Sequence, residues 1–261
     1  MSSAEATRVA AIYDVHGNLP ALEAVLSDLE RVESDLVVVG GDVASGPMPV
    51  EVLDRLQAVG DRVRWVRGNA DREVVAAYDG GPQAIEAFMS DPARAMDGWA
   101  ASRIGKRHRD LLASFPERAE VDIEGIGAVL FCHATPNSDE EIVTTVTPDG
   151  RLRGILAGTQ QDVVVCGHVH TQYYRRLDGK RVVNAGSVGL PYQGEPVGAF
   201  WALLGPEGIE LRRSDYELRR AVEEFRAVGY PAVDDLAESL LEPPDPAWVA
   251  EFFERQANDR P

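Results

Sequence analysis

Short apolar runs alternate with amphipathic segments through the first half of the chain. Arg8–Tyr13 reads as a strand and Leu19–Val32 as a helix, Asp35–Val39 as a strand and Pro49–Val59 as a helix, and Arg62–Val66 as a third strand. Successive βα units of this kind pack strands in parallel and put helices on the sheet faces. From about residue 72 to 116 the composition turns helical, broken at Gly80-Gly81-Pro82 and at Asp91-Pro92, where proline stops or restarts a helix. We read this stretch as a helical cap inserted into the domain.

Beyond the cap the period shifts towards two. Ala119–Cys132 predicts two strands about a turn at Gly125 and Gly127, Gly150–Thr159 a helix and Asp162–Cys166 a strand. Tyr173–Leu177 and Val182–Asn184 flank Asp178-Gly179 as a hairpin, and Val197–Leu204 with Gly208–Arg213 complete a second, antiparallel-rich set of strands. A helical C-terminal extension runs from about 216 to 261, broken at Glu242-Pro243-Pro244-Asp245-Pro246. Trp248 and Phe252 share one face of its last helix. Their expected job is to dock the tail on its own domain, with a homodimer contact as the alternative. The expectation is a single α/β domain over residues 1–261.

Composition narrows the partners. A chain of 261 residues can bury a core without help from a metal. Its formal charge of −17 argues against long nucleic acid, because binding a phosphate backbone needs concentrated positive charge. Phosphate chemistry would have to be local, driven by cations that reverse the field inside one pocket. Cys132 and Cys166 each end an apolar run and read as small buried hydrophobes. No signal peptide or membrane span is visible, so the expected location is the cytoplasm and no membrane partner is expected.

The chemistry lies where the predicted strands end. Asp14-Val15-His16 follows the first, Gly40-Gly41-Asp42 the second and Gly68-Asn69-Ala70-Asp71 the third, while Cys132-His133 and Gly167-His168-Val169-His170 end later ones. Imidazole, carboxylate and amide ligands without a cysteine pair suit divalent ions such as manganese, iron or zinc. Asp14 and His16, two apart at a strand exit, are expected to point the same way, and so are His168 and His170. Asp14, His16, Asp42, Asn69, His133, His168 and His170 are more ligands than one tetrahedral ion can use. They suit two ions about 3.5–4 Å apart with Asp42 as the bridging carboxylate.

These five ordered blocks, from Val9 to about Gly189, resemble the calcineurin-like metallophosphoesterases. Gly-Asn-x-Asp in the third block is similar to their small bacterial phosphodiesterase branch. The resemblance implies a four-layer α/β/β/α sandwich of two mixed sheets. It also implies one ion held by Asp14, His16, Asp42 and His170, and a second by Asp42, Asn69, His133 and His168. Two divalent ions are expected, manganese first, with iron, zinc, nickel or cobalt as alternatives. Asp42 and Asn69 are the catalytic candidates, Asn69 ligating through its oxygen and contacting phosphate through its amide. Asn18 is either a helix N-cap or a second phosphate donor.

The expected activity is hydrolysis of a phosphodiester or phosphoanhydride bond in a small phosphorylated substrate, a nucleotide among the candidates. Where many relatives carry histidine after the third-block asparagine, this chain has Ala70, so good leaving groups should be preferred. Asp71 is read first as a helix cap and second as a substitute for that histidine. The basic cluster Arg103, Lys106, Arg107, His108 and Arg109 reads as a solvated helix face rather than a grip for extra phosphates. Asn184-Ala185-Gly186-Ser187 resembles a family segment near the metals. The rival readings are a non-catalytic metal-binding docking scaffold, a phosphoprotein phosphatase and a DNA-repair nuclease.

Overall fold

The computed structural model describes residues 4–88 and 92–259. In chain order the first half contains β1 (Ala4–Ala6), β2 (Val9–Ile12), α1 (Leu19–Arg31), β3 (Leu36–Val39), α2 (Pro49–Gln57), β4 (Val63–Trp65), α3 (Asn69–Phe88), α4 (Pro92–Arg103) and α5 (Lys106–Ala113). The rest comprises β5 (Arg118–Ile123), β6 (Gly127–Cys132), α6 (Asp149–Ile155), β7 (Val163–Cys166), β8 (Tyr173–Leu177), β9 (Lys180–Asn184), β10 (Ala199–Gly205), β11 (Gly208–Ser214), α7 (Leu218–Ala227), α8 (Val233–Leu241) and α9 (Pro246–Asp259).

Two mixed sheets carry the fold, ordered β1-β5-β6-β7-β9-β8 and β11-β10-β2-β3-β4. Strands β2, β3 and β7 are buried at every position, which their unbroken apolar sequences require of a strand covered on both faces. Val9, Ala11, Val38 and Leu204 of one sheet meet Val129, Phe131, Val163 and Val183 of the other in the central core. Ala10, Ile12, Val37 and Val39 point the opposite way, onto Leu22, Val25, Leu26 and Leu29 of α1. That i, i+3, i+4, i+7 spacing is one apolar helix stripe. On the far side, Leu152 and Ile155 of α6 cover Leu130, Val164 and Val182. Helix, sheet, sheet and helix therefore stack in four layers.

The cap and tail differ in detail from their sequence patterns. Helix α3 runs without a break through Gly80-Gly81-Pro82. A proline deletes one intrahelical hydrogen bond, and packing of α3 against α4 and α5 holds the rest. The second expected break is met, since α4 starts at Pro92, although Asp91 lies outside the described residues. In the tail, Val249 is buried and Phe253 packs on the α6 layer, while Trp248 and Phe252 are 55% and 37% exposed. Those two rings stack on each other with centroids 5.2 Å apart. Docking therefore uses the neighbouring face of α9, not the pair the sequence singled out. Both cysteines are free and buried.

Candidate metal centre

Backbone positions that side chains rarely take hold most of the expected ligands. Asp14, His16, Asp42, His168 and His170 have φ of 53°, 45°, 52°, 71° and 56°. The left-handed region costs a non-glycine residue roughly 1–2 kcal/mol. Bonds between loops hold it in place: the N–H groups of Asp14, His16 and Gly17 donate to the carbonyls of Gly41, Asp42 and Val43 at 3.1, 2.9 and 2.9 Å. Ser187 Oγ donates to the Asp14 carbonyl at 2.7 Å. Strand alternation therefore does not set the pairing of Asp14 with His16, because β2 has already ended at Ile12.

The imidazoles are oriented by backbone carbonyls. Nδ1 of His16, His133 and His170 lies 2.9, 2.9 and 2.7 Å from the carbonyls of Ser45, Gly40 and Leu190. A carbonyl only accepts, so each Nδ1 carries a proton, and in the neutral ring Nε2 is left as a lone pair. Nε2 of His16 and Nε2 of His170 then face each other at 3.1 Å. Two lone pairs at that distance are satisfied by a cation or a proton between them. Asp14 Oδ1, buried and without a hydrogen-bond partner, lies 3.5 Å from His170 Nε2.

Asp42 joins this group to a second one. Its Oδ2 is 3.8 Å from His16 Nε2 and 3.4 Å from His133 Nε2. Asp14, His16, Asp42 and His170 bring one ligand atom each within 4.8 Å of one another, and so do Asp42, His133 and His168. One amide atom of Asn69 sits 3.2 Å from His133 Nε2 and 3.2 Å from His168 Nδ1. An amide oxygen at that place would be a ligand for a cation. All seven residues named from the sequence are thus gathered, and they fit divalent cations.

Protons compensate the carboxylates when no cation does. Burial opposes ionisation of Asp42, but the charge and hydrogen bond of His133 outweigh it and hold the carboxyl below its ordinary range. His133 in turn rises to about 10, because Asp42 and Asp14 overcome the cost of burying its charge. Burial and the nearby His133 push His168 down to about 4.

Residues missed as positioning groups are as informative. Asp71 is not a phosphate contact: its carboxyl accepts from Gly68, Asp42 and Val43 N–H at 3.0, 3.0 and 2.9 Å, stitching together the loops after β3 and β4. Burial and the Asp42 charge raise it to about 7. Asn18 corrects an expectation. It is fully buried, its oxygen caps α1 through Ala21 N–H at 3.1 Å, and its amide donates to Gly189 and Tyr216, which leaves no donor for phosphate. Asn184 Nδ2 donates to the Gly167 carbonyl, steadying the loop that carries His168 and His170. The carbonyls of Gly40, Ser45 and Leu190 left no side-chain signal by which they could have been found.

Gly68 is tied to Asp42 by close packing. A Cβ there would stand 2.1 Å from Asp42 Oδ1. Gly68→Ala is expected to displace that carboxylate and weaken metal binding by about ten- to a hundredfold, the range for losing an orienting contact. Calorimetric titration with Mn²⁺ checks it, and unchanged affinity would refute the role.

A cavity of about 390 Å³ opens on the centre, lined by His16, Asp42, Asn69, His168 and His170. Tyr192, stacked on His170 with centroids 4.9 Å apart, Glu73 of α3, Asp97 of α4, Tyr230 and Asp235 of α8 complete the lining, so the cap and the tail both wall it. The basic cluster stays apart. Lys106 pairs with Asp110, Arg107 and His108 with Asp54, Arg109 with Asp79, and Arg103 lies over the Trp99 ring.

Residues 8–204 match the family model of the calcineurin-like phosphoesterase superfamily domain. The chain belongs to that superfamily. Within it, the chain is 28% identical over 234 residues to the uncharacterized protein MJ0912 of Methanocaldococcus jannaschii, covering 83% of this chain and 91% of the relative. The structure of a metallophosphoesterase from Sphaerobacter thermophilus aligns with a TM-score of 0.70 and 26% identity, over 90% of this chain and 98% of that one. Phosphodiesterase YfcE of Escherichia coli is 39% identical over 70 residues, which is 23% of this chain and 38% of YfcE. Over those 70 residues the likeness is to a small bacterial phosphodiesterase, and the two mixed sheets flanked by helices match the fold of the Sphaerobacter metallophosphoesterase.

Proposed function

We propose that this phosphoesterase hydrolyses phosphodiester bonds of a small substrate at a centre of two divalent cations, manganese first among them. The observation that carries the reading is Asp42, the one carboxylate common to both ligand groups. Bound divalent cations would neutralise the phosphoryl oxygens and lower the pKa of water towards neutrality. The protein's part is placement. Carbonyls of Ser45, Gly40 and Leu190 hold three imidazoles in the ligating tautomer, and Asp71 ties the bridging loop to the Asn69 loop. Asn69, beside His133 and His168 on the cavity lining, would ligate through its oxygen and contact phosphate through its amide. A cavity of about 390 Å³ suits a small molecule rather than a phosphoprotein.

Metal-reconstituted protein should turn over bis(p-nitrophenyl) phosphate, with metal-free protein as the blank. Manganese, iron, zinc, nickel and cobalt are compared in parallel, and the reading fails if none exceeds the blank. Ala70 supplies no proton donor at the position where many relatives place histidine, so rates along an aryl ester series should fall as leaving-group pKa rises. A flat series would show that another group protonates the leaving oxygen.

A further inference from the structure

The part of the cavity lining that comes from the cap and the tail has a chemistry of its own. Asp97 is 2% exposed, and its carboxyl accepts a hydrogen bond from Ser45 Oγ at 2.6 Å. It also lies within hydrogen-bonding reach of the Glu73 carboxyl, and Asp235 stands at the rim of the same wall. Tyr230 is 2% exposed, its Oη has no hydrogen-bond partner, and its ring lies edge-on to Trp99 with centroids 6.0 Å apart. An orphaned buried hydroxyl carries a desolvation cost, which a ligand can recover by pairing with it.

We propose that Glu73, Asp97, Asp235 and Tyr230 form a subsite for an amine-bearing, cationic substituent of the phosphodiester substrate. This rests on the phosphodiesterase reading and names the part of the substrate that the metals do not touch. A buried carboxyl, Asp97, beside the half-buried Glu73 carboxyl calls for positive charge between them. Burial and the Glu73 hydrogen bond raise Asp97 to about 9, so a proton fills that place when nothing else does. An ammonium group brings its own charge and several donors, and can replace the proton. Tyr192 and Tyr230 add aromatic surface to the same cavity, which a cation also favours. A zwitterionic diester would therefore span the cavity, its phosphate at the metals and its ammonium at the acidic wall.

Three esters with a common leaving group test this: 2-aminoethyl, 2-methoxyethyl and 2-carboxyethyl p-nitrophenyl phosphate. With manganese-loaded full-length protein, kcat/KM for the aminoethyl ester should exceed that for the methoxyethyl ester on the order of tenfold, the worth of one charged hydrogen bond. The carboxyethyl ester should be the poorest. Asp97→Asn and Glu73→Gln should bring the amine-to-methoxy ratio near one, and Tyr230→Phe, which removes an unpaired hydroxyl, should lower it without loss of fold. Equal rates for the amine and methoxy esters, or a ratio unmoved by the substitutions, would overturn the subsite while leaving the phosphodiesterase reading intact. Absence of any metal-dependent turnover would instead overturn that reading. In that case ethylammonium binding to metal-free protein, followed by NMR shifts near Asp97 and Tyr230, decides the subsite alone: saturable shifts lost in Asp97→Asn support it, and no shifts end it.

Discussion

Replacing Asp42 with asparagine is expected to cut metal-dependent phosphodiester hydrolysis by at least about a thousandfold, roughly 4 kcal/mol of transition-state stabilisation. The two oxygens of Asp42 have different duties. Oδ1 accepts from Ala70 N–H at 2.8 Å, and Oδ2 stands 3.8 and 3.4 Å from the Nε2 atoms of His16 and His133. An amide can keep its oxygen on Ala70 only by turning its NH₂ towards the ligand atoms, where it repels a cation. The reverse orientation sets two N–H groups against each other. Either way the site also loses one negative charge. Unchanged circular dichroism together with fewer than two bound ions per chain would show that the loss is local. Activity within tenfold of the parent would dismiss the bridging role.

Saturation with manganese is expected to raise the thermal midpoint by about 10 °C. A ligand present at a thousand times its Kd stabilises by about 4 kcal/mol, and a chain of this size gains about 2–4 °C for each. The site has cause to respond. Metal-free, it keeps Asp14 Oδ1 without a partner and sets two imidazole lone pairs 3.1 Å apart, on residues held in left-handed backbone. Cations compete with protons here, most directly at His133, whose metal-free pKa of about 10 means that binding must release its proton. The shift should therefore grow from pH 6 to pH 8. Differential scanning calorimetry measures it, and a shift below about 2 °C at saturation would be incompatible with two well-formed sites.

Much of the centre was legible because strand exits in α/β sheets concentrate chemistry, and each ligand block lies at one. Asp14, His16, Asp42, Asn69, His133, His168 and His170 come together as their order suggested. The reason given for two of the pairs was incomplete, since left-handed turns rather than pleat alternation aim Asp14 with His16 and His168 with His170. Asn18 shows the limit of motif spacing. Both readings were open from the sequence, and only its neighbours Ala21, Gly189 and Tyr216 reveal that its amide is already spent. Trp248 and Phe252 share a helix face as expected, yet periodicity cannot say whether that face or the next one meets the body.

By itself the sequence determined an α/β alternation, through apolar runs that must be covered on both faces, and the inventory of ligands, through residue types whose chemistry does not depend on their surroundings; the four-layer sandwich was implied only by the family resemblance. Tertiary structure decided everything that needs two distant segments to meet. It set the carbonyls of Gly40, Ser45 and Leu190 against the imidazoles, made Asp71 the tie between two loops, and closed the cavity with Asp97 from the cap and Tyr230 from the tail. The physical reason is that a backbone carbonyl carries no residue code, and that a carboxyl or a hydroxyl acquires its role from the charge and water left around it after packing.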